Sequence, residues 1–266
     1  GVKNVLELKG VSLTFNKGTV NEKQALCGID LTVNGGDFIT VIGGNGAGKS
    51  TLLNVISGVF PTDAGSISLN GKDLTALKEY KRAKYISRVF QDPLSGTAAS
   101  MNIEENLALA ARRGKRRGLK WGMSKDELAG YKELLKDLDL GLEDRTGQKV
   151  GTLSGGQRQA LTLLMASVVS PELLLLDEHT AALDPKTAKK VLALTDEIIK
   201  KENLTALMIT HNMNDALSYG NRLIMMNGGR IIFDVCGEEK KRLTVKDLLE
   251  KFESVGDLSD RILLSE

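Results

Sequence analysis

The nine residues 43–51, which read GGNGAGKST, restrict the fold of this 266-residue chain more than any other stretch. They match the pattern G-x-x-x-x-G-K-[ST], they follow the apolar run FITVI and they precede the helical pattern TLLNVISGVF. In this strand–loop–helix context, backbone N–H groups and the N-terminus of a helix surround phosphate groups. The motif therefore predicts an α/β chain with a P-loop NTPase core.

The residues of this phosphate loop are expected to contact the phosphates of a nucleotide. Lys49 would reach the β- and γ-phosphates, and the Ser50 hydroxyl would bind Mg²⁺. A glycine-rich turn without a ligand is the alternative, and the strand and helix on either side disfavour it. The predicted phosphate-contacting set is Gly43, Gly44, Asn45, Gly46, Ala47, Gly48, Lys49, Ser50 and Thr51.

The run LLLLDE at 173–178 predicts a buried strand that ends in two carboxylates. Asp177, at the tip of the strand, is expected to hold Mg²⁺, as in P-loop NTPases generally. Glu178 points differently and could polarise the attacking water as a general base. An isolated strand with this ending is more often structural, and the phosphate loop gives the pair its significance. GTP is disfavoured because no NKxD base-reading motif follows the loop.

The remaining patterns predict the organisation of the chain. Short β-rich runs alternate with helical patterns, which is typical of an α/β sheet, whereas the N-terminal runs indicate an antiparallel β subdomain. Residues 93–152 are helical and polar, and we interpret them as an inserted helical subdomain. The nucleotide-binding core would then comprise 1–92 and 153–236, and 237–266 would form a short C-terminal helical extension.

Composition excludes several classes of protein. The formal net charge of +2 is too small to indicate nucleic acid as a partner. The two cysteines form neither a metal-ligand spacing nor a disulfide framework. The longest nearly apolar run, at 160–169, has 10 residues and is too short to cross a bilayer. A membrane role is therefore expected to come through a partner.

A second phosphate-facing motif, LSGGQ at 153–157, opens another apolar helix. With the phosphate loop and LLLLDE in this order, the chain resembles an ATP-binding cassette (ABC) ATPase over roughly residues 4–236. The resemblance implies that LSGGQ faces the ATP of a second copy in a head-to-tail dimer that sandwiches two ATP molecules. The residues that would close the neighbouring site are Ser154, Gly155, Gly156 and Gln157.

The resemblance also assigns roles to four separate residues. Phe15 matches the aromatic residue that stacks on adenine, and Gln91 matches the glutamine that meets Mg²⁺ and the attacking water. Asp184 matches a loop that touches the opposite subunit, and it also fits the N-cap of the next helix. His211 matches the switch histidine that contacts the γ-phosphate. With Glu178 and Lys49, Gln91 and His211 complete the expected catalytic set.

The family resemblance leads to a functional hypothesis. A single cassette without membrane spans is similar to the ATPase subunit of a bacterial importer, which works with membrane permease subunits and a separate substrate-binding protein. Such a subunit lies at the cytoplasmic face of the membrane. Stretches such as VFQDPLSGTAASM are similar to importers with a lipoprotein binding partner, some linked to tryptophan or other aromatic amino acids. Branched-chain amino-acid importers and a soluble ATPase of iron–sulfur cluster assembly are the alternatives.

The basic segment 112–120, RRGKRRGLK, has two interpretations. Charge runs of this kind are usually a solvated surface. Contact with anionic lipid headgroups or with the permease is the second interpretation. Gly44 and His179 depart from residues that are frequent in the family at these positions, but neither departure removes a reacting group.

Overall fold

The computed structural model describes residues 4–113 and 124–254. The strands in this part of the chain are β1 Asn4–Phe15, β2 Lys23–Asn34, β3 Phe38–Gly43, β4 Ala64–Leu69, β5 Lys72–Asp73, β6 Ile86–Val89, β7 Leu173–Asp177, β8 Ala206–Ile209, β9 Arg222–Asn227 and β10 Arg230–Cys236. The helices are α1 Lys49–Ser57, α2 Glu79–Arg82, α3 Ile103–Ala111, α4 Lys125–Lys136, α5 Gly155–Ser167, α6 Pro185–Lys201, α7 Met213–Ser218, α8 Gly237–Arg242 and α9 Val245–Ser254.

The larger sheet has the order β10-β9-β3-β8-β7-β6. All neighbouring pairs from β9 to β6 are parallel, and only β10 runs antiparallel to its neighbour. Strands β3, β7 and β8 are apolar along nearly their whole length because both faces are covered, one by α1 and the smaller sheet and the other by helices. Because β3 and β7 run in the same direction, the phosphate loop that follows β3 and the carboxylates at the end of β7 lie at the same end of the sheet, where these strands finish.

The smaller sheet is antiparallel, with the order β2-β1-β4-β5. Alternating buried and exposed residues along β1 and β2 direct one apolar face toward α1 and the larger sheet. Asn70 and Gly71 form the turn between β4 and β5, and both have positive φ. The predicted P-loop NTPase fold with an N-terminal antiparallel sheet is confirmed.

Helices from the middle of the chain form a second core with the other face of the sheet. Helices α3, α4 and α5 pack together, and α5 also contacts α6. A capping box starts α4: the Glu127 amide donates to Ser124 Oγ at 3.1 Å, and the Ser124 amide donates to Glu127 Oε2 at 2.8 Å. The boundaries of the helical subdomain remain a prediction.

Helices α7 and α9 pack with β9 and β10 in a smaller third core. Helices α8 and α9 both lie within 237–266, where the sequence analysis expects a helical extension. In the described part of the chain, no helix is both long and apolar enough to span a membrane.

Most of the basic segment 112–120 lies outside the described residues. Of its basic side chains, Arg112 lies 3.5 Å from the Glu127 carboxylate, and Arg113 donates to Ser87 Oγ at 2.9 Å. The segment 255–266 of the predicted C-terminal extension also lies outside the described part.

Candidate nucleotide-binding site

The phosphate loop joins β3 to α1, and glycines allow its close turns. A Cβ added at Gly43 would lie 2.3 Å from the Met226 carbonyl oxygen, so only a residue without a side chain fits there. Gly48 has φ of 101° and immediately precedes α1, and a Cβ at that position would lie 2.7 Å from the Ala25 carbonyl oxygen. Both positions require glycine, because the loop packs so closely against β2 and β9 that a side chain would collide with a backbone carbonyl oxygen.

A cavity of about 340 Å³ opens over this loop. Its walls come from β1, β2, the phosphate loop, and the residues after β7 and β8. At one end the Phe15 ring is held edge-on by Phe60, with ring centroids 5.3 Å apart. The lining residues are Phe15, Lys23, Ala25, Asn45, Gly46, Ala47, Gly48, Lys49, Ser50, Thr51, Glu178 and His211.

Lys49 is the buried cation of this cavity, with 5% of its surface exposed. Its Nζ donates to the carbonyl oxygens of Gly43 at 2.5 Å and Gly44 at 2.9 Å. These two carbonyls hold the ammonium group at the loop. An anion entering the cavity would meet this charge together with the N-terminus of α1.

Ser50 and Asp177 lie beside each other at the start of α1 and the end of β7. The distance from Ser50 Oγ to Asp177 Oδ1 is 3.3 Å. A hydroxyl and a carboxylate are hard oxygen ligands of the kind that Mg²⁺ takes in proteins, usually alongside water and phosphate oxygens. The pair therefore fits a magnesium ion that is completed by a nucleotide.

Glu178 and His211 form the second polar pair of the cavity, with Nε2 of His211 2.6 Å from Oε1 of Glu178. The hydrogen bond from His211 lowers the pKa of the half-buried Glu178 carboxyl, and the charge of Lys49 adds to this shift against the opposing effect of burial. Glu178 is thus held ionised. Its φ of 48° places it in the left-handed region, which turns the backbone away from β7.

The backbone turn at Glu178 separates the two carboxylates, because β7 ends at Asp177 and Glu178 leaves the strand with a positive φ. Asp177 faces α1, whereas Glu178 faces the cavity wall formed by the residue after β8. His179, the next residue, is buried and its Nε2 lies 2.9 Å from Thr195 Oγ1 of α6. The histidine at position 179, which departs from the residue frequent in the family, therefore packs in the core and does not alter the cavity.

The LSGGQ residues lie at the N-terminus of α5, and none of them lines the described cavity. Ser154 Oγ accepts from the Gln157 amide at 3.2 Å, and Gln157 Oε1 accepts from the Ser154 amide at 3.1 Å. The sequence pattern S-x-x-Q could have predicted this capping box. Ser154 and Gly155 are exposed, so the start of α5 faces outward.

Asp184 lies next to this helix start rather than in the cavity. Its carboxylate accepts from the Thr187 amide at 3.1 Å and caps α6, as predicted. A Cβ added at Gly156 would lie 2.3 Å from Cγ2 of Thr187, which shows how closely the starts of α5 and α6 pack. The two helix starts form one outward-facing surface.

Gln91 follows β6 and is exposed, and it is not among the residues that line the cavity. The carbonyl oxygen of the preceding residue, Phe90, accepts from Gln159 Nε2 of α5 at 3.0 Å. The segment that carries Gln91 is therefore tied to the helix that begins at LSGGQ.

The sequence analysis missed Lys23 and Arg88. Lys23 lines the cavity because β1 and β2 pair in antiparallel register, which places it opposite Phe15. Arg88 lies behind Asp177, with its Nη2 2.5 Å from Oδ2 of that carboxylate. No local motif marks either residue, since each reaches the site through strand pairing. Lys23 does so through the consecutive strands β1 and β2, and Arg88 through β6 and β7, which are distant in sequence.

Comparison with known proteins agrees with this geometry. The family model described as ABC transporter matches residues 26–181. The chain is 46% identical over 249 residues to a tyrosine transport ATP-binding protein of Clostridioides difficile, covering 94% of this chain and 99% of that protein. It is 36% identical to a methionine import ATP-binding protein of Rhizobium johnstonii over 84% of this chain, but this match spans only 59% of that relative's length.

Among solved structures, the chain is similar to a dimeric ATP-binding cassette in a post-hydrolysis state bound to ADP and phosphate. The TM-score is 0.73 at 28% identity, and the match covers 90% of this chain and 100% of that one. The phosphate loop, the carboxylates after β7 and the LSGGQ helix start thus occur on the fold of this family. The chain belongs to the ABC transporter family and is an ATP-hydrolysing, ATP-binding subunit of such a transporter.

Proposed function

We propose that this chain powers a bacterial importer of aromatic amino acids from the cytoplasmic face of the membrane. The observation that carries the proposal is the 46% identity to the tyrosine transport ATP-binding protein, because it extends over 94% of this chain and 99% of that relative. The methionine import relative supports amino acids as the wider substrate class. Integral-membrane permease subunits and a separate substrate-binding protein, of lipoprotein type, would complete the transporter.

In this proposal the cavity binds ATP with its base at the Phe15 end. The ring of Phe15 would stack on adenine, and residues 43–51 would surround the phosphates, with Lys49 at the β- and γ-phosphates. Ser50, Asp177 and Gln91 would hold Mg²⁺, which neutralises phosphate charge when it is bound. This orientation is supported by the polar Ser50–Asp177 pair and by the positive charge of the phosphate loop, which both suit the phosphate end of the nucleotide.

Hydrolysis would be carried out by the pair at the other side of the cavity. The ionised Glu178 carboxylate accepts a proton from the attacking water, while His211 donates to the γ-phosphate. These two side chains lie 2.6 Å apart. A γ-phosphate that engages His211 would release the glutamate oxygen for the water.

A second copy of the chain would complete each site. The start of α5 faces outward and carries Ser154, Gly155, Gly156 and Gln157, and Asp184 lies on the same surface. A helix N-terminus that presents backbone N–H groups suits the γ-phosphate of a neighbour's ATP. ATP would then stabilise the closed head-to-tail dimer, and hydrolysis would remove the phosphate that both copies bind.

The division of the chain fits this role. The core of 1–92 and 153–236 would bind the nucleotide, the helical subdomain 93–152 would receive the permease together with the Gln91 segment, and 237–266 would be an accessory extension. The iron–sulfur assembly alternative is not favoured, because the relatives described above are named for transport.

Transport by the intact complex tests the proposal. The chain would be purified from membranes with its permease, reconstituted in vesicles with the binding protein, and supplied with ATP. We expect ATP-dependent accumulation of radiolabelled tyrosine or tryptophan in preference to methionine and leucine. A complex that contains Glu178→Gln is the matched control, and its accumulation should be lost.

Two results would contradict the proposal. Preferential uptake of leucine or methionine would overturn the aromatic specificity while leaving the importer intact. Co-purification with a soluble scaffold, and without any membrane protein, would overturn the importer itself and favour the assembly alternative.

A further inference from the structure

Four polar side chains form a closed ring beneath the phosphate loop. Asp177 Oδ1 lies 3.3 Å from Ser50 Oγ, and Asp177 Oδ2 lies 2.5 Å from Arg88 Nη2. The other terminal nitrogen of Arg88, Nη1, donates to Asn54 Oδ1 at 2.5 Å. Ser50 and Asn54 are four residues apart on the same face of α1, so the helix joins the two ends of this series of contacts and completes the ring.

Arg88 is held in this ring by its surroundings. Its side chain is 12% exposed, and its guanidinium lies 4.8 Å from the centre of the Phe90 ring. The buried Nε has no hydrogen-bond partner among residues 4–113 and 124–254. Asp177 is the carboxylate that lies against this cation, and its own side chain is 15% exposed. Neither charge is well solvated, so each depends on the other.

The ring leaves the two oxygens of Asp177 in different environments. Arg88 takes Oδ2, whereas Oδ1 is directed toward Ser50 and the start of the phosphate loop. Arg88 thus fixes the orientation of the carboxylate and also supplies a positive charge directly behind it. A guanidinium suits this task because it remains charged at all physiological pH values and has a rigid planar shape.

We propose that Arg88 is a positioning residue of the magnesium site, which orients Asp177 and compensates its charge whenever no divalent cation is bound. This inference rests on the proposed role of Ser50 and Asp177 in holding Mg²⁺. Arg88 does not touch the nucleotide. It acts through Asp177, and it allows the phosphates of ATP to approach a carboxylate that would otherwise repel them.

The charge of Arg88 has a measurable consequence for nucleotide binding. ATP without magnesium brings about four negative charges toward Asp177, whereas Mg²⁺–ATP brings its own compensating cation. Removal of Arg88 should therefore weaken the binding of metal-free ATP more than the binding of Mg²⁺–ATP. A side chain that only supported the fold would weaken both forms by the same factor.

The experiment compares the dissociation constants of a fluorescent ATP analogue in Mg²⁺ and in EDTA, using the full chain. Arg88→Met removes the charge but keeps much of the side-chain volume, and Arg88→Lys keeps the charge. Arg113→Met is the matched control. Arg113 is also a partly buried arginine, and its Nη1 donates at 2.9 Å to the hydroxyl of Ser87, the residue that precedes Arg88 on β6.

We expect the ratio of the EDTA constant to the Mg²⁺ constant to rise about tenfold in Arg88→Met. The ratio should stay near the wild-type value in Arg88→Lys and in Arg113→Met. An unchanged or smaller ratio in Arg88→Met, or an equal rise in Arg113→Met, would overturn the inference. Thermal unfolding of each variant in nucleotide-free buffer identifies any variant that fails to fold. If Arg88→Met does not fold, Arg88→Gln, which also removes the charge, is measured in its place and should show the same rise, whereas a wild-type ratio would overturn the inference.

Asp177→Asn separates this inference from the proposed function. If Asp177 holds Mg²⁺, that variant should show a ratio well below the wild-type value. A wild-type ratio in Asp177→Asn would contradict the proposed metal role itself. A lowered ratio in Asp177→Asn, combined with a wild-type ratio in Arg88→Met, would contradict only the role of Arg88.

Discussion

His211 Nε2 lies 2.6 Å from Oε1 of Glu178, although 33 positions separate the two residues in the chain. Their proximity follows from the sheet, because β7 and β8 are parallel neighbours in which Asp177 pairs with Ile209. The Glu178 amide also donates to the Ile209 carbonyl oxygen at 3.2 Å. The register of two strands thus brings a carboxylate and an imidazole together over the phosphate loop.

Replacement of Glu178 by Gln should stop hydrolysis while preserving ATP binding. Glutamine has nearly the same shape but cannot accept the proton of the attacking water, so the rate should fall by about 10² to 10⁴-fold. Phosphate release in a single turnover measures the loss. Light scattering should show a dimer of this variant in ATP and a monomer without it. Near-normal turnover, or a monomer in ATP, would contradict the proposed roles of Glu178 and of dimer closure.

Two inactive variants should restore activity when they are mixed. Lys49→Ala disables the phosphate loop, and Ser154→Arg blocks the LSGGQ surface, so either homodimer should be inactive. In a mixed dimer, one site combines an intact loop with an intact LSGGQ surface. Equal mixing should therefore recover roughly a quarter of the wild-type sites, since half of the dimers are mixed and each has one intact site. Steady-state ATPase assays of the assembled complexes measure this recovery.

The outcome of mixing distinguishes two designs of the active site. If each site were built within one copy, the mixed dimers would stay inactive, because every copy carries one disabling change. Full activity of Ser154→Arg alone would also contradict a site that is shared between copies.

Phe15→Ala should weaken ATP binding by about tenfold or more, because stacking between a base and an aromatic ring contributes roughly 1–3 kcal/mol. Phe15→Tyr should bind nearly as tightly, since it keeps the ring. GTP should lose affinity by a similar factor, because every base has a face that can stack. Titration with fluorescent nucleotide analogues measures these affinities. Equal binding by Phe15→Ala and the wild type would show that the ring does not contact the base.

The stability of the chain should decrease in mild acid because of His179. Burial lowers the pKa of this side chain from 6.5 to about 4. Below pH 6.5 the unfolded chain binds a proton that the folded chain accepts only near pH 4, so the free energy of unfolding falls over this interval. The complete shift corresponds to about 3 kcal/mol. Above pH 6.5 the contribution is fully present.

Urea unfolding of the wild type and His179→Asn at pH 7 and pH 4.5 tests this effect. The stability advantage of the wild type should be about 2 kcal/mol smaller at pH 4.5, because the variant lacks the titrating group. This double difference removes the contributions of other acidic groups. An equal advantage at both pH values would show that the pKa of His179 is not lowered in the folded chain.

Local sequence was sufficient for the parts of the molecule that depend on local geometry. The phosphate loop needs glycines at close turns, the strands around it are continuous apolar runs, and the cap at Asp184 follows from a short-range hydrogen bond. These features were confirmed. Glu178 points away from Asp177, as expected, because the backbone leaves β7 at Glu178 with a positive φ.

Strand pairing decided the remainder of the site, because it joins residues that are not neighbours in the chain. It placed Lys23 opposite Phe15, brought His211 to Glu178, and set Arg88 behind Asp177. No pattern of neighbouring residues encodes such pairings, since their register depends on how the strands pack in three dimensions. The sequence by itself determined which chemical groups the chain has for binding ATP, whereas the tertiary structure decided which of those groups meet and how their charges are balanced.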